Sequence, residues 1–303
     1  MHQAQVSEWG QPPKYVEAPQ PDAPGPGEVR IKVKAVGVHQ VVRSRASGKH
    51  YSSGMPPHIP GIDGIGTTED GQTVYWASFD VGSMAEYINL PKRNTRPLPE
   101  GTDPIQAAGI INPAMSSWMA IMTRTTNLPP DFTALIVGAT SASGRVAISL
   151  VRALGAKKVI GAARNKSALA TLGLDASIVI ENDPEKTDFD TLGEVDCVLD
   201  YVFGPLTVHL LKSLKSSRPV QYVHIGGLAA QDISLPGAVL RSKNLTIRGS
   251  GPGAWSMQEM AQTLDQLLAA VKDIPEQPVK VVRLEDIESA WNEEGSERLV
   301  VVM

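Results

Sequence analysis

Six apolar runs punctuate the middle of the chain: ALIV (134–137), KVIGA (158–162), SIVI (177–180), VDCVL (195–199), VQYVHI (220–225) and LTIR (245–248). Between them, apolar residues return at helical spacing, as at Val146, Leu150 and Leu154, and again at Leu206, Leu210 and Leu214. Continuous apolar strands alternating with amphipathic helices predict a parallel sheet covered on both faces. Six such strands fit the two mononucleotide-binding halves of a doubly wound α/β fold.

The flanks have a different rhythm. Val29, Ile31, Val33 and Ala35 alternate with Arg30, Lys32 and Lys34, the signature of a half-buried strand. The preceding PQPDAPGPGE reads as a loop. QTVYWASF (72–79) and SMAEYINL (83–90) are further strand candidates. Beyond residue 254 an amphipathic helix carries Met257, Met260, Leu264, Leu267 and Val271, and the apolar runs VKVV (279–282) and LVVVM (299–303) follow. The expected organisation is a discontinuous β-rich domain, residues 1–112 and 254–303. An α/β domain, residues 113–253, is inserted between its parts. The brief connection GTTEDG (66–71) suggests a small sheet in the β-rich domain.

Composition narrows the class. A chain of 303 residues, 42% of them hydrophobic, suits about two packed domains. The formal net charge of -4 carries no single-sign field, so neither nucleic acid nor a membrane surface is an expected partner. No run is long enough to span a bilayer, and no apolar segment follows the N-terminal Met, so a cytoplasmic location is expected. The single cysteine, Cys197 in VDCVLD, excludes an internal disulfide and a Cys-rich zinc site. It reads as a small buried hydrophobe.

The chemistry begins at ALIVGATSASGRVAI (134–148). Gly138 ends the first strand of the alternation, and Gly144 opens the helix, where a small residue allows close helix–strand packing. Free N–H groups and the helix dipole favour a pyrophosphate there. Thr140, Ser141 and Ser143 add hydroxyls, and Arg145 adds a charge. With Ala142 and Val146 these residues make the expected cofactor cradle. Thr140 stands where the usual pattern has its second glycine, so the placement in the first strand carries the weight. The second strand ends in GAARNKSAL (161–169), which has no acid to accept from a ribose 2′-hydroxyl. Arg164, with Asn165 and Lys166 beside it, suits a 2′-phosphate by charge and forked geometry. The expected cofactor is NADP(H).

This order of domains, together with AVGVHQVVRSRASGKHY (35–51), PGIDGIG (60–66), SMAEYINLP (83–91), GATSASGRVA (138–147), VDCVLDYVFG (195–204) and LEDIESAWNEEGSERLVVV (284–302), resembles the medium-chain dehydrogenase/reductase superfamily. The resemblance implies a GroES-like catalytic domain beside a Rossmann domain. Zinc alcohol dehydrogenases of that superfamily place a ligand Cys near Val38 or His39 and a ligand His in a G-H-E motif. Here the motif reads Gly61-Ile62-Asp63, and the four-Cys structural lobe is missing, so no metal is expected. The zinc-independent quinone oxidoreductases and enoyl reductases remain. They pass hydride from NADPH to a quinone or an α,β-unsaturated carbonyl, and are commonly homodimers joined at the edge strand, here near Leu245–Gly249.

The resemblance also assigns roles. His39 and Tyr51 are the candidate donors to the acceptor's carbonyl oxygen, with His50 as the alternative. Asn112, Met115 and Ser116 would line the nicotinamide end. Ile225 and Gly226 close the fifth strand, Ser250 and Gly251 follow the sixth, and Tyr201 ends the fourth near the adenosine and ribose. His224 is either buried or near the nicotinamide ribose. Arg298 either reaches the cofactor phosphates or makes a surface salt bridge. Trp255 and Phe203 either wall a substrate pocket or pack at a domain interface. Two further readings stay open: a zinc-free ketone or alcohol oxidoreductase, and an NADPH-binding sensor with little turnover. A short-chain reductase is disfavoured, because VFGP follows Tyr201 in place of a Tyr-x-x-x-Lys pair.

Overall fold

The computed structural model describes every residue except Tyr51, Glu294 and Ser296. The chain forms two compact units, Met1–Asn112 with Leu264–Met303, and Pro113–Thr263. Unit one opens with β1 (His2–Gln5), β2 (Lys14–Glu17), β3 (Glu28–Gly37), α1 (Gln40–Ala46), β4 (Asp63–Thr68), β5 (Thr73–Ala77), β6 (Tyr87–Pro91) and β7 (Thr95–Pro97). Helix α2 (Pro104–Arg124) carries the chain into unit two. There follow β8 (Thr133–Val137), α3 (Ala142–Ala153), β9 (Lys158–Ala163), α4 (Lys166–Ala170), β10 (Ala176–Val179), β11 (Cys197–Asp200), α5 (Pro205–Ser213), β12 (Val220–His224), α6 (Gly237–Ser242) and β13 (Leu245–Gly249). Helix α7 (Met257–Lys272) leads back to unit one, which continues with β14 (Val279–Arg283), α8 (Ile287–Ala290) and β15 (Arg298–Val302).

The six apolar runs become one parallel sheet in the order β10-β9-β8-β11-β12-β13. The direction of winding reverses between β8 and β11. Ligands of such sheets bind in the crevice beyond the strand ends at that switch point. Strand β8 is buried along its whole length because both faces are covered. Ala134 and Ile136 pack with Ala147 and Val151 on one side. Leu135 and Val137 pack with Leu206, Leu210 and Tyr222 on the other. Cys197 is fully buried in β11, and burial pushes its thiol up to about 12, the behaviour of an inert core residue.

The boundary between units falls inside α7, ten residues beyond the expected 254. Residues at the start of α7 are held by the C-terminal half of α2. The Arg124 guanidinium donates to the Ala254 carbonyl and pairs with Glu259 at 4.0 Å, and Thr263 Oγ1 reaches Met119 Sδ at 3.7 Å. Apolar periodicity marks the helix but says nothing of these polar ties.

Unit one carries a seven-stranded sheet, in the order β14-β15-β3-β4-β5-β7 with β6 also paired to β3. It is larger than the short 66–71 connection suggested, because β14 and β15 extend it. Strand β3 has ten residues and serves three partners, one of them β15 at Ala35–Gly37. Glu28–Lys32 pairs with β6, and Ile31–Ala35 pairs with β4 across a register shift between Val33 and Ala35. Ile31, Val33, Trp76, Leu90, Ile287 and Val301 form its core. Among the described residues no helix is long and apolar enough to cross a membrane.

Candidate active site

In unit two the glycine turn has the tightness that its sequence implies. Gly138 closes β8 with a φ of 91°, which only glycine adopts without strain. The N–H groups of Gly138 and Ala139 both donate to the Ala162 carbonyl, at 2.8 and 3.1 Å. Ser141 caps α3, its Oγ accepting from the Gly144 N–H at 3.0 Å. A Cβ at position 144 would lie 2.3 Å from the Gly138 oxygen and 2.7 Å from the Ala139 Cα. The absent side chain is therefore what lets α3 begin against the strand end. Other first-turn N–H groups have no intrahelical acceptor, and with the helix dipole they form an anion cradle at the switch point. Thr140, Ser141, Ala142, Ser143 and Arg145 are half-buried around this turn. Val146 is different. It is only 1% exposed, so its side chain belongs to the core and only its backbone is near the turn.

Arg164 is exposed at the carboxyl end of β9, beside β8. Asn165, expected to touch cofactor, is the N-cap of α4. Its Oδ1 accepts from the Ala168 N–H at 2.9 Å and the Ser167 hydroxyl at 2.8 Å. The cap takes the oxygen, and the amide NH2 is what Asn165 has to offer a ligand.

The ends of β11 and β12 are tied together by the carboxylate of Asp200, for which the sequence suggested no such role. Asp200 is fully buried. It accepts from the N–H groups of Val202 and Phe203 at 2.8 and 3.0 Å, from Thr207 Oγ1 at 2.7 Å and from the Tyr222 hydroxyl at 2.6 Å. Those bonds hold a loop in which Phe203 has a φ of 53° and Gly204 a φ of 119°. Phe203 rests on His224, ring centroids 4.1 Å apart. Burial lowers the His224 pKa against an opposing effect of Asp200, so its ring stays neutral near pH 7. The Asp200 carbonyl accepts from Ile225 and Gly226 at 2.8 and 3.2 Å, and the His224 carbonyl from Ser250 at 2.8 Å. A Cβ at Gly226 would come within 2.9 Å of the Tyr201 oxygen, whereas one at Gly251 would meet nothing within 4 Å.

Tyr201 follows β11 with its side chain turned inward. Its ring is 5% exposed and its hydroxyl meets Ser117 Oγ at 2.8 Å, so the side chain is part of the core. Burial pushes its phenol up to about 12. The strand end faces the crevice with backbone, while the alternating side chain points into the packing. Ser116 donates its hydroxyl to the Pro113 carbonyl at 2.6 Å, satisfying a helix that contains a proline.

Unit one holds His39, Asn112 and His50; Tyr51 lies outside the described residues. Asn112 is half-buried in α2. His39 sits at the N-cap of α1 and is 2% exposed. Its Nε2 is 3.2 Å from Asp63 Oδ1, and the Tyr75 hydroxyl donates to Asp63 Oδ2 at 3.3 Å. His50 is half-buried, with Nδ1 at 2.8 Å from Ser52 Oγ, and burial and then Arg45 lower its pKa. Ile62, in the place of the zinc enzymes' histidine, is part of the hydrophobic core. Arg298 donates to the Val38 carbonyl at 3.1 Å, a bond within its own unit. Among the described residues, no three His, Cys, Asp or Glu side chains are grouped as metal ligands.

No family model matches the chain. It is 34% identical, over 355 aligned positions covering all of both chains, to a probable NADPH-dependent quinone reductase, tdiC, of Emericella nidulans. It is 27% identical to the acrylyl-CoA reductase AcuI of Ruegeria pomeroyi over 208 positions, 62% of this chain and 63% of that one. The quinone oxidoreductase of Thermus thermophilus, solved also as its complex with NADPH, matches the structure with a TM-score of 0.81 at 25% identity, covering all of both chains. Similarity of this extent, end to end and on the same pair of sheets, makes the chain a member of the quinone oxidoreductase branch of the medium-chain dehydrogenase/reductase superfamily.

Proposed function

We propose that the protein is an NADPH-dependent, zinc-independent reductase of quinones or α,β-unsaturated carbonyl compounds. The observation that carries this reading is the cradle at Gly138–Gly144, which a single Cβ at position 144 would fill, with Arg164 and no acid at the end of the neighbouring strand. The Gly138–Arg145 turn would hold the pyrophosphate through first-turn N–H groups and hydroxyls. Arg164 would hold the 2′-phosphate. The ends of β12 and β13, at Ile225, Gly226, Ser250 and Gly251, would border the nicotinamide half. NADPH, when bound, supplies both electrons as hydride.

The chain's own task is then to place the acceptor and to manage one proton. A quinone or enone spreads the incoming charge onto its carbonyl oxygen, so the protein needs a donor there rather than a Lewis acid. His39 and Tyr51 are the proposed donors. The zinc-free reading rests on Ile62 in place of a ligand histidine. A homodimer joined at β13 fits the exposed Thr246–Gly249 edge, and light scattering that finds a dilute monomer would remove it.

The deciding assay follows NADPH oxidation with a para-quinone, an α,β-unsaturated ketone and a saturated ketone, each with and without chelator. Turnover with the quinone or the enone, unchanged by chelator, is expected. Turnover confined to the saturated ketone would favour the ketone reductase reading. Tight NADPH binding with no turnover would favour the sensor. Arg164→Ala is expected to weaken NADPH binding about tenfold or more, the loss of a charge-assisted pair, while NADH binding stays within about twofold. Cofactor fluorescence titration checks it, and an unchanged NADPH affinity would reassign Arg164 to the surface.

A further inference from the structure

We propose that Asp63 is a positioning residue for His39, holding its imidazole in one tautomer and one plane, with Tyr75 fixing the carboxylate. The proposal rests on the reading that His39 serves the acceptor's oxygen. His39, Asp63 and Tyr75 are each 2% exposed. Asp63 opens β4 opposite Ala77 of β5, and Tyr75 lies farther along β5 opposite Ile65. The paired strands therefore bring the carboxylate and the phenol together, and His39 joins them from the start of α1.

A buried carboxylate is costly unless it is paired and hydrogen-bonded. Among the described residues, no Lys or Arg forms an ion pair with Asp63; its close polar side chains are His39 and Tyr75. Burial, and then the charge of Asp63, raise the Tyr75 phenol well above its ordinary value, so Tyr75 remains a donor and does not act as the acid. An anionic oxygen 3.2 Å from Nε2 favours a proton on that nitrogen and leaves Nδ1 as the ring's second site. The Nε2–H and Oδ1 are not aligned as a formed hydrogen bond. Bonds of catalytic groups are often loose in the free enzyme and straighten in the complex. Gly37 completes the arrangement. A Cβ there would lie 2.5 Å from His39 Cε1 and 2.2 Å from the Ala108 oxygen, so the ring can lie against the backbone only because residue 37 has no side chain.

In the reaction, the acceptor gains two electrons from NADPH, and its oxygen then takes one proton. Once the neutral Nε2–H ring has taken a second proton at Nδ1, that Nδ1–H bond breaks, the product O–H bond forms, and the ring returns to its neutral Nε2–H form beside Asp63. Water resupplies the proton.

Nitrogen-15 NMR of the full chain, labelled at histidine, tests this without turnover. The His39 signals are identified by their loss in His39→Gln. At neutral pH, the wild-type ring is expected to carry its proton on Nε2. Asp63→Asn is expected to give a mixture of tautomers, and Tyr75→Phe, which removes only a hydroxyl, a smaller change. In steady state, Asp63→Asn should lower kcat about ten- to a hundredfold with the KM for NADPH within about twofold, and Asp63→Glu should restore part of the loss. A wild-type ring already mixed between tautomers, or one unmoved by Asp63→Asn, would overturn the proposal. So would His39→Gln turning over at the wild-type rate, since nothing would then need positioning. That last result leaves the reductase reading standing, because the acceptor panel tests it separately.

Discussion

Gly144→Ala is expected to reduce NADPH affinity by about a hundredfold, the scale of loss that follows a displacement of about 1 Å in a binding group. The new Cβ would stand 2.3 Å from the Gly138 oxygen and 2.9 Å from the Ala139 carbonyl carbon. Both are backbone atoms, anchored by the bonds of Gly138 and Ala139 to Ala162, so no side chain can swing aside. Helix α3 must then lift from the end of β8. That movement breaks the Ser141–Gly144 cap and withdraws the first-turn N–H groups from the crevice. Strain of this kind also costs about 1–3 kcal/mol of stability. Fluorescence titration with NADPH, read beside a thermal melt, separates the two effects. A variant that binds and melts like wild type would show that the cradle is not the cofactor site.

Asp200→Ala is expected to cost about 3–5 kcal/mol of stability, the upper end for a single substitution, because it strands several buried donors at once. The substitution leaves the N–H groups of Val202 and Phe203 and the hydroxyls of Thr207 and Tyr222 without their acceptor. Each stranded buried donor carries a penalty of about 1–3 kcal/mol, and the penalties do not add fully because the loop can relax. Relaxation has its own consequence. Phe203 keeps its φ of 53° only while the loop is held, and its release removes the ring contact with His224. Asp200→Asn should cost less, since one amide oxygen survives. Denaturant unfolding checks the order, and an alanine variant within about 0.5 kcal/mol of wild type would mean that Asp200 clamps nothing.

The sheet of unit two was legible because its strands are buried on both faces. Residues such as Leu135 and Ile136 must then both be apolar, and the run itself names the strand. Gly144 was legible for a related reason: its role is local, between residues six apart in sequence. The buried polar ties were not legible. Nothing in PGIDGIG says that Asp63 will meet a tyrosine on the next strand, since that depends on the register of β4 with β5 and on which face each residue takes. The burial of the Tyr201 side chain was illegible for the same cause. Its position at a strand end is encoded locally, but the direction of its hydroxyl is set by Ser117 on a distant helix. Asn165 could have been read more closely, because an Asn three residues before Ala168 at a strand-to-helix junction is an N-cap pattern.

Strand β15 lies between β14 and β3, and Arg298 bonds to the Val38 carbonyl across 260 residues of sequence. The order of synthesis therefore treats the two units unequally. Once Gly249 has left the ribosome, every strand of the parallel sheet is available and unit two can close. Unit one cannot. Until residues 298–302 emerge, the side of β3 away from β4 is unpaired at Ala35–Gly37, where three of its residues later pair with β15. A nascent chain thus carries an unfinished apolar edge while its own middle folds, and such edges recruit other chains. Ribosome stalling or cleavage just before Arg298 would leave the parallel sheet attached to an open, aggregation-prone edge of β3.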